Sequence, residues 1–212
     1  MRNTFFHQQT SKNQINPQLP NIKMFSKAFI ATLLAGTAAA SPVVTRSTGA
    51  FGLVALKTGT ELQFASIVAN GGQLWIGKET ASYCPESVGA ACPAGNQTTF
   101  AAGENANVGM NVIVPGGQQL YISTDYAVSY TTAHSADTHG GKAQGWVYTA
   151  APEGSVGSLT FPGYGFLACA SPEGPGIYSI AATPGGTGTG NCTSISLGAA
   201  TYDGSATAWQ YS

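Results

Sequence analysis

Short runs of apolar residues alternate with glycine- and proline-containing turns from Phe51 to the end of the chain. Residues 61–67 alternate polar and apolar side chains, as does a strand with one buried face. Asn70 and Gly71 then predict a tight hairpin turn into a strand at residues 73–76, because both accept a positive φ. The same pattern predicts further strands at 51–56, 108–114, 119–123, 127–131, 145–148, 158–161, 165–169, 177–181, 194–197 and 206–211.

No part of residues 41–212 shows the 3.6-residue period of an amphipathic helix, so the pattern predicts an all-β fold. We favour a single antiparallel β-sandwich or jelly-roll-like domain. A weak repeat keeps a β-trefoil as the alternative. Leu74, Leu120 and Leu167 lie in glycine-flanked apolar runs that recur after 46 and 47 residues.

The amino-terminal residues follow a different pattern. Residues 24–40 contain a short basic segment, an apolar run and a final Ala-x-Ala, which predicts a signal peptide cleaved after Ala40. The apolar run is shorter than the roughly 20 residues that span a bilayer. Residues 1–23 are polar and aperiodic, and we interpret them as a mis-annotated extension that precedes a true start at Met24.

The mature chain is then expected to begin with a flexible lead-in at residues 41–50, followed by one β domain over residues 51–212. Four basic and nine acidic side chains give this mature part a formal net charge of −5. Charged residues are only 8% of the whole chain, against roughly 25% in a typical soluble domain. This balance argues against nucleic acid or an anionic membrane as a partner, and no membrane anchor is predicted.

All four cysteines lie in the mature part, which for a secreted chain predicts two disulfides. Three pairings can be drawn, and we favour Cys84 with Cys92 and Cys169 with Cys192 because each pair is close in sequence. A metal site on these cysteines is disfavoured, since the spacing lacks Cys-x-x-Cys and no histidine is near.

Two further groups of side chains could carry a modification or a metal. Sequons beginning at Asn96 and Asn191 lie in turn-like sequence and predict N-linked glycans. His134, Asp137 and His139 fall within six residues and could hold a divalent metal or transfer a proton. A polar loop that happens to contain histidines is the favoured interpretation, because the segment ends in two glycines rather than on a rigid element.

No catalytic signature is present, and we expect neither an active site nor a cofactor. Gly-x-Ser-x-Gly is absent, and paired cysteines would leave no thiol nucleophile. Most of the nine acidic residues fall in predicted turns, which leaves the carboxylate pair of a glycoside hydrolase unsupported. The glycine-rich residues 184–190 are not followed by a predicted helix and therefore do not resemble a phosphate-binding loop.

Several of these runs together resemble the PhiA-like cell wall proteins of filamentous fungi, some of which are catalogued as IgE-binding proteins. The resemblance rests on residues 51–64, 74–77, 157–161 and 165–169. It implies a secreted or cell-wall-associated fungal protein connected with phialide and conidium development. It implies no catalytic residues.

The first functional hypothesis is therefore a non-enzymatic structural or interaction protein of the fungal wall, in contact with wall polysaccharide or wall proteins. The alternative is a carbohydrate-binding, lectin-like module, which needs an exposed aromatic platform. Trp75, Tyr121 and Trp146 are the main candidates for it, with Tyr126 and Tyr130. Core packing remains the favoured role for the aromatic residues of the apolar runs. These are Phe51, Phe64, Trp75, Trp146, Phe161, Phe166 and Trp209.

Overall fold

A computed structural model of the chain describes residues 49–188 and 190–212. The proposed extension, the signal peptide and all of the lead-in except its last two residues lie outside the described residues. Within the described part the strands are antiparallel and very little helix is present, which confirms the all-β fold.

The described residues form fourteen strands and one short 3-10 helix. In chain order they are β1 (Ala50–Leu56), β2 (Ser66–Asn70), β3 (Gln73–Ile76), β4 (Ser82–Tyr83), the 3-10 helix (Glu86–Ala91), β5 (Phe100–Ala102), β6 (Val108–Met110), β7 (Leu120–Ile122), β8 (Val128–Tyr130), β9 (Val147–Thr149), β10 (Gly157–Thr160), β11 (Tyr164–Ala170), β12 (Tyr178–Pro184), β13 (Cys192–Tyr202) and β14 (Gln210–Tyr211).

Six of these strands close into a ring, in the order β1, β2, β3, β12, β11, β13 and back to β1. The closing pair joins β1 to β13 over seven residue pairs, from Ala50 opposite Tyr202 to Leu56 opposite Ser196. Strand β13 achieves this by changing partners along its length, since Cys192 to Ile195 pair with β11 and the following residues pair with β1. The expected sandwich is thus joined at its edges into one closed sheet.

The order of strands around the ring is not the chain order, because β12 lies between β3 and β11. The weak sequence repeat also does not correspond to equivalent positions. Leu74 and Leu167 belong to ring strands, whereas Leu120 lies in β7, which pairs with β8 outside the ring. The recurrence of glycine-flanked leucines therefore reflects similar local turns and does not require threefold symmetry.

The core fills the interior of the ring. In β1 every second residue is buried, with Phe51, Leu53 and Ala55 pointing inward. The ring of Phe51 stacks on Phe100 and Tyr148, with centroids 5.7 and 4.4 Å apart. Burial of each such large side chain contributes roughly 1.5–3 kcal/mol, so apolar packing from opposite sides stabilises the closed sheet.

Both disulfides of the described residues join neighbours in the fold, and no described cysteine is free. Cys84–Cys92 encloses the 3-10 helix, which the sequence pattern did not indicate. Cys169–Cys192 links directly opposed residues of β11 and β13. These are the two pairs that proximity in sequence favours.

A buried polar network ties the last strand to the rest of the fold. The hydroxyl of Tyr211 donates to the Gln97 carbonyl at 3.0 Å. The Thr207 hydroxyl then donates to Tyr211, the Thr99 hydroxyl donates to Thr207 and the Asn111 amide donates to Thr99. Every donor in this chain of hydrogen bonds has an acceptor, so the bonds can reinforce one another.

The amide of Gln118 completes this network, and its side chain is only 5% exposed. Its Nε2 donates to the carbonyls of Tyr211 and Thr131, and its Oε1 accepts from the Tyr211 N–H at 2.7 Å. The side-chain amide of Gln118 thus bonds both the N–H and the carbonyl of Tyr211, as the backbone of a paired strand does.

The segment before β2 departs from the sequence prediction. Residues 61–64 form a turn, and β2 begins only at Ser66. The Phe64 N–H donates to the Ala55 carbonyl and the Ala55 N–H donates to the Ala65 carbonyl, each at 2.8 Å. This is the bonding of a β-bulge whose first residue is usually glycine, and Phe64 occupies it with φ +63. The expectation of a core role for Phe64 is wrong, because its side chain is 60% exposed.

We expect Tyr211→Phe to lower the free energy of unfolding by about 1–3 kcal/mol, because the buried Thr99 N–H loses its acceptor. Urea unfolding measures the change. Tyr83→Phe is the matched control, since Tyr83 is 54% exposed, and its effect should stay within about 0.5 kcal/mol. Equal stability of the two variants would contradict the role assigned to the network.

Phe64→Gly should raise the free energy of unfolding by about 1 kcal/mol, because glycine accepts a left-handed conformation that costs other residues about 1–2 kcal/mol. Phe64→Ala keeps the unfavourable φ and should give no such gain. Thermal and urea unfolding of both variants test the difference. If Phe64→Ala gains as much stability as Phe64→Gly, or more, the backbone conformation is not the cause.

Candidate functional site

The structure does not bring His134, Asp137 and His139 together as ligands. Asp137 Oδ1 accepts from the His139 N–H at 2.7 Å, and Oδ2 lies 3.2 Å from His139 Nδ1, with both side chains well exposed. His134 is exposed at the other end of the loop, close to Gly116. Across residues 49–188 and 190–212, no three His, Cys, Asp or Glu side chains are placed to hold a metal ion.

Two of the three main platform candidates are core residues, so the expectation of an exposed surface is wrong for them. Trp146 is 2% exposed, and its ring packs against Phe161 and Phe166 at centroid distances of 5.2 and 6.0 Å. Tyr121 is also buried, under the backbone of Gly141. A Cβ at Gly141 would lie 2.7 Å from the Tyr121 ring, so this close approach requires glycine.

Trp75 is half-buried on the outer face of β3, and one face of its ring is covered. Its Nε1 donates to the Asn70 carbonyl at 2.9 Å. Lys78 Nζ lies 3.6 Å from the ring centroid and also forms an ion pair with Glu173 at 2.8 Å. This cation–π contact occupies the surface on which a sugar ring would stack.

The remaining two platform candidates differ in exposure. Tyr126 is 43% exposed at a turn, with φ +71, whereas Tyr130 is 5% exposed. The Tyr130 hydroxyl accepts from the Gly72 N–H and donates to the Ser212 carbonyl. Burial raises the pKa of Tyr130 to about 12.

Both sequon asparagines are exposed, so a glycan on either would project into solvent. The Asn191 Nδ2 donates to the Ala170 carbonyl at 2.7 Å, and a glycosylated amide retains one N–H for this bond. Thr98, which completes the first sequon, is buried and its hydroxyl accepts from the Ala69 N–H. N-glycosylation at the two sites stays a prediction.

A concave surface with a mainly polar lining involves residues that the sequence did not single out. We call it the polar groove; it has a volume of about 630 Å³. Gln119, Thr138, Lys142, Gln144, Phe161 and Tyr164 contribute to its lining. A second groove of about 590 Å³ adjoins it, includes His134 and shares Gln119 and Ala136 with the first. Residues of the loop at 132–141 line both grooves.

Backbone contacts between distant segments create the polar groove. Lys142 exchanges two backbone hydrogen bonds with Ile122 of β7, which fixes the start of the lining segment. The carbonyl of Ala106 accepts the N–H groups of both Gly145 and Trp146, which fixes its end. At Gly145, where φ is +120, a Cβ would lie 2.9 Å from the Phe161 ring. The opposite wall forms where the chain leaves the sheet between β10 and β11.

The described side chains that line the polar groove include several that can donate or accept hydrogen bonds. No carboxylate is among the described residues that line either groove, so the acid and base pair of a glycoside hydrolase is not assembled there. The polar groove instead offers two amides, a hydroxyl, an ammonium group and a partly exposed tyrosine. The sequence contained one indication of the polar groove, which was the break between the strands predicted at 158–161 and 165–169, where Pro162 and Tyr164 lie.

Over the described part of the chain, no helix is long and apolar enough to cross a membrane. Comparison with known proteins gives two similarities. A family model described as PhiA-like secreted protein matches residues 51–212. An uncharacterized secreted protein of Arthroderma benhamiae is 36% identical over 153 residues, which cover 68% of this chain and 75% of the relative. No solved structure matches the chain significantly.

The raised pKa of Tyr130 predicts a loss of stability at high pH. An unfolded tyrosine releases its proton near pH 10, whereas folded Tyr130 holds it to about pH 12, so folding becomes less favourable between these values. At pH 11 this should cost about 1 kcal/mol relative to pH 9. Tyr130→Phe should remove that part of the slope in urea unfolding, and Tyr83→Phe should not. An unchanged slope in Tyr130→Phe would contradict the assignment.

Proposed function

The chain belongs to the PhiA-like secreted protein family, and from this membership we propose that it is a non-enzymatic structural or interaction protein of the fungal cell wall. The protein is a secreted fungal protein. Contact with wall polysaccharide or wall proteins is the proposed means of its retention, and a contribution to phialide and conidium development is the proposed consequence.

The polar groove is the observation that supports a binding role over a catalytic one. Its described lining holds hydrogen-bonding side chains without a carboxylate pair. The backbone hydrogen bonds of Lys142 to Ile122 and of Gly145 and Trp146 to Ala106 hold the lining segment in place, which lowers the entropy that binding would cost.

A carbohydrate-binding, lectin-like activity is the second candidate function. The polar groove favours it, because amides, hydroxyls and an aromatic ring are the groups that contact sugars in proteins. The sugar-binding surface would then lie at Gln119, Gln144 and Tyr164 and not at Trp75, Tyr121 and Trp146.

Fractionation of the producing fungus tests the wall assignment. We expect most of an epitope-tagged chain in the washed cell wall and little in the medium. A secreted reporter carrying residues 1–40 and the same tag is the control, and it should remain in the medium. Recovery of the tagged chain from the medium alone, like the reporter, would contradict a wall role.

A further inference from the structure

Unfavourable backbone conformations concentrate around the two grooves. Six described residues other than glycine have a positive φ. Two of them, His134 and His139, lie in the loop between the grooves, with φ of +64 and +51. Two more, Asn105 and Ala106, form the turn whose carbonyl holds Gly145 and Trp146 in place. Such conformations cost about 1–3 kcal/mol each and cluster at binding sites in many proteins.

Buried polar atoms without partners lie in the same region. Among the described side chains, Trp146 Nε1 and Asn107 Oδ1 are buried and make no hydrogen bond. Trp146 packs edge-to-face on Phe161, which lines the polar groove, and its backbone is bonded to Ala106, the neighbour of Asn107. An unpaired buried polar group costs about 1–3 kcal/mol. Unpaired buried polar atoms therefore add a second free-energy cost, beside that of the positive φ values, next to the polar groove.

The chemistry of the lining identifies the class of ligand. The amides of Gln119 and Gln144 can each donate and accept, as recognition of sugar hydroxyls requires. Phe161, Pro162 and Tyr164 supply apolar surface for the C–H faces of a sugar ring. The ammonium group of Lys142 adds a hydrogen-bond donor, and no carboxylate is among the described residues that line the groove to pair with its charge.

The shape of the polar groove favours a polymer. It is an open surface and not an enclosed cavity, so a ligand can extend beyond both of its ends. A protein partner would be expected to meet an apolar centre with aromatic anchors, whereas the exposed lining of the polar groove is more polar than apolar. The second groove is the more apolar of the two and is left out of the site. The acidic mature chain, with a single lysine in the polar groove, does not suit nucleic acid.

We propose that the polar groove is a binding site for an uncharged wall polysaccharide, with Gln119, Lys142, Gln144 and Tyr164 as its contact residues. The inference rests on the proposed wall function and adds to it the ligand class and the site. The polymer lies along the polar groove, with sugar rings against Tyr164 and Pro162.

Sedimentation with insoluble β-1,3-glucan and chitin, and affinity electrophoresis in soluble mannan, test the site. We expect the chain to bind at least one of the three. Lys142→Ala combined with Gln144→Ala should weaken that binding tenfold or more with an unchanged thermal midpoint, because both side chains are exposed. Lys57→Ala combined with Gln97→Ala is the matched control outside the grooves and should bind as the original chain does.

Three outcomes would overturn the inference. They are no binding to any of the three polymers, equal binding by the groove variant and its control, and loss of binding in 1 M NaCl, which would indicate a charged ligand. The wall proposal is tested separately. If the chain is found in the wall but binds none of the polymers, the wall role stands and the binding site is contradicted. If it binds a polymer in vitro but stays in the medium, the binding site stands and the wall role is contradicted.

Discussion

The pairing of β1 with β13 is the contact on which the rest of the fold depends. It joins segments about 150 residues apart and closes the ring that encloses the core. Closing so long a loop costs entropy before any packing can compensate for it. Two features offset this cost. Alternate residues of β1 are buried inside the ring, and Cys169–Cys192 holds the start of β13 against β11. A fold dominated by such distant pairs is expected to form slowly.

The sequence predicted those parts of the fold that local patterns determine. The predicted hairpin is present, but its turn lies one residue later, at Gly71 and Gly72, which both have a positive φ, while Asn70 ends β2. The strand at residues 73–76 has the predicted bounds. Prediction failed where a distant contact overrides the local pattern. Residues 61–67 alternate like a strand, yet the bulge opposite Ala55 turns the chain and leaves Phe64 in solvent. Periodicity carries no information about such a bulge.

The candidate site could not be predicted for a related reason. Gln119, Lys142 and Tyr164 come from three segments that meet only because the ring closes and β7 pairs with β8 beside it. None of these residues belongs to a recognisable motif. Among the aromatic residues that did attract notice, Tyr121, Tyr130 and Trp146 are buried, and Lys78 lies over the ring of Trp75. Binding residues in rigid β frameworks commonly lie on loops, and the proposed contact residues Lys142 and Gln144 lie in such a loop.

The contacts of Lys78 with the Trp75 ring and with Glu173 affect how readily extracellular proteases can cleave the chain. A trypsin-like protease must draw a lysine or arginine side chain into its specificity pocket, and residues 49–212 contain three lysines and no arginine. Lys78 is held between the Trp75 ring and Glu173, and the backbone of Lys142 is bonded twice to Ile122. The backbone N–H of Lys57 is bonded to the Gln63 side chain. Cleavage at Lys78 or Lys142 therefore requires local unfolding first, so the scarcity of basic residues also limits attack by proteases of this specificity.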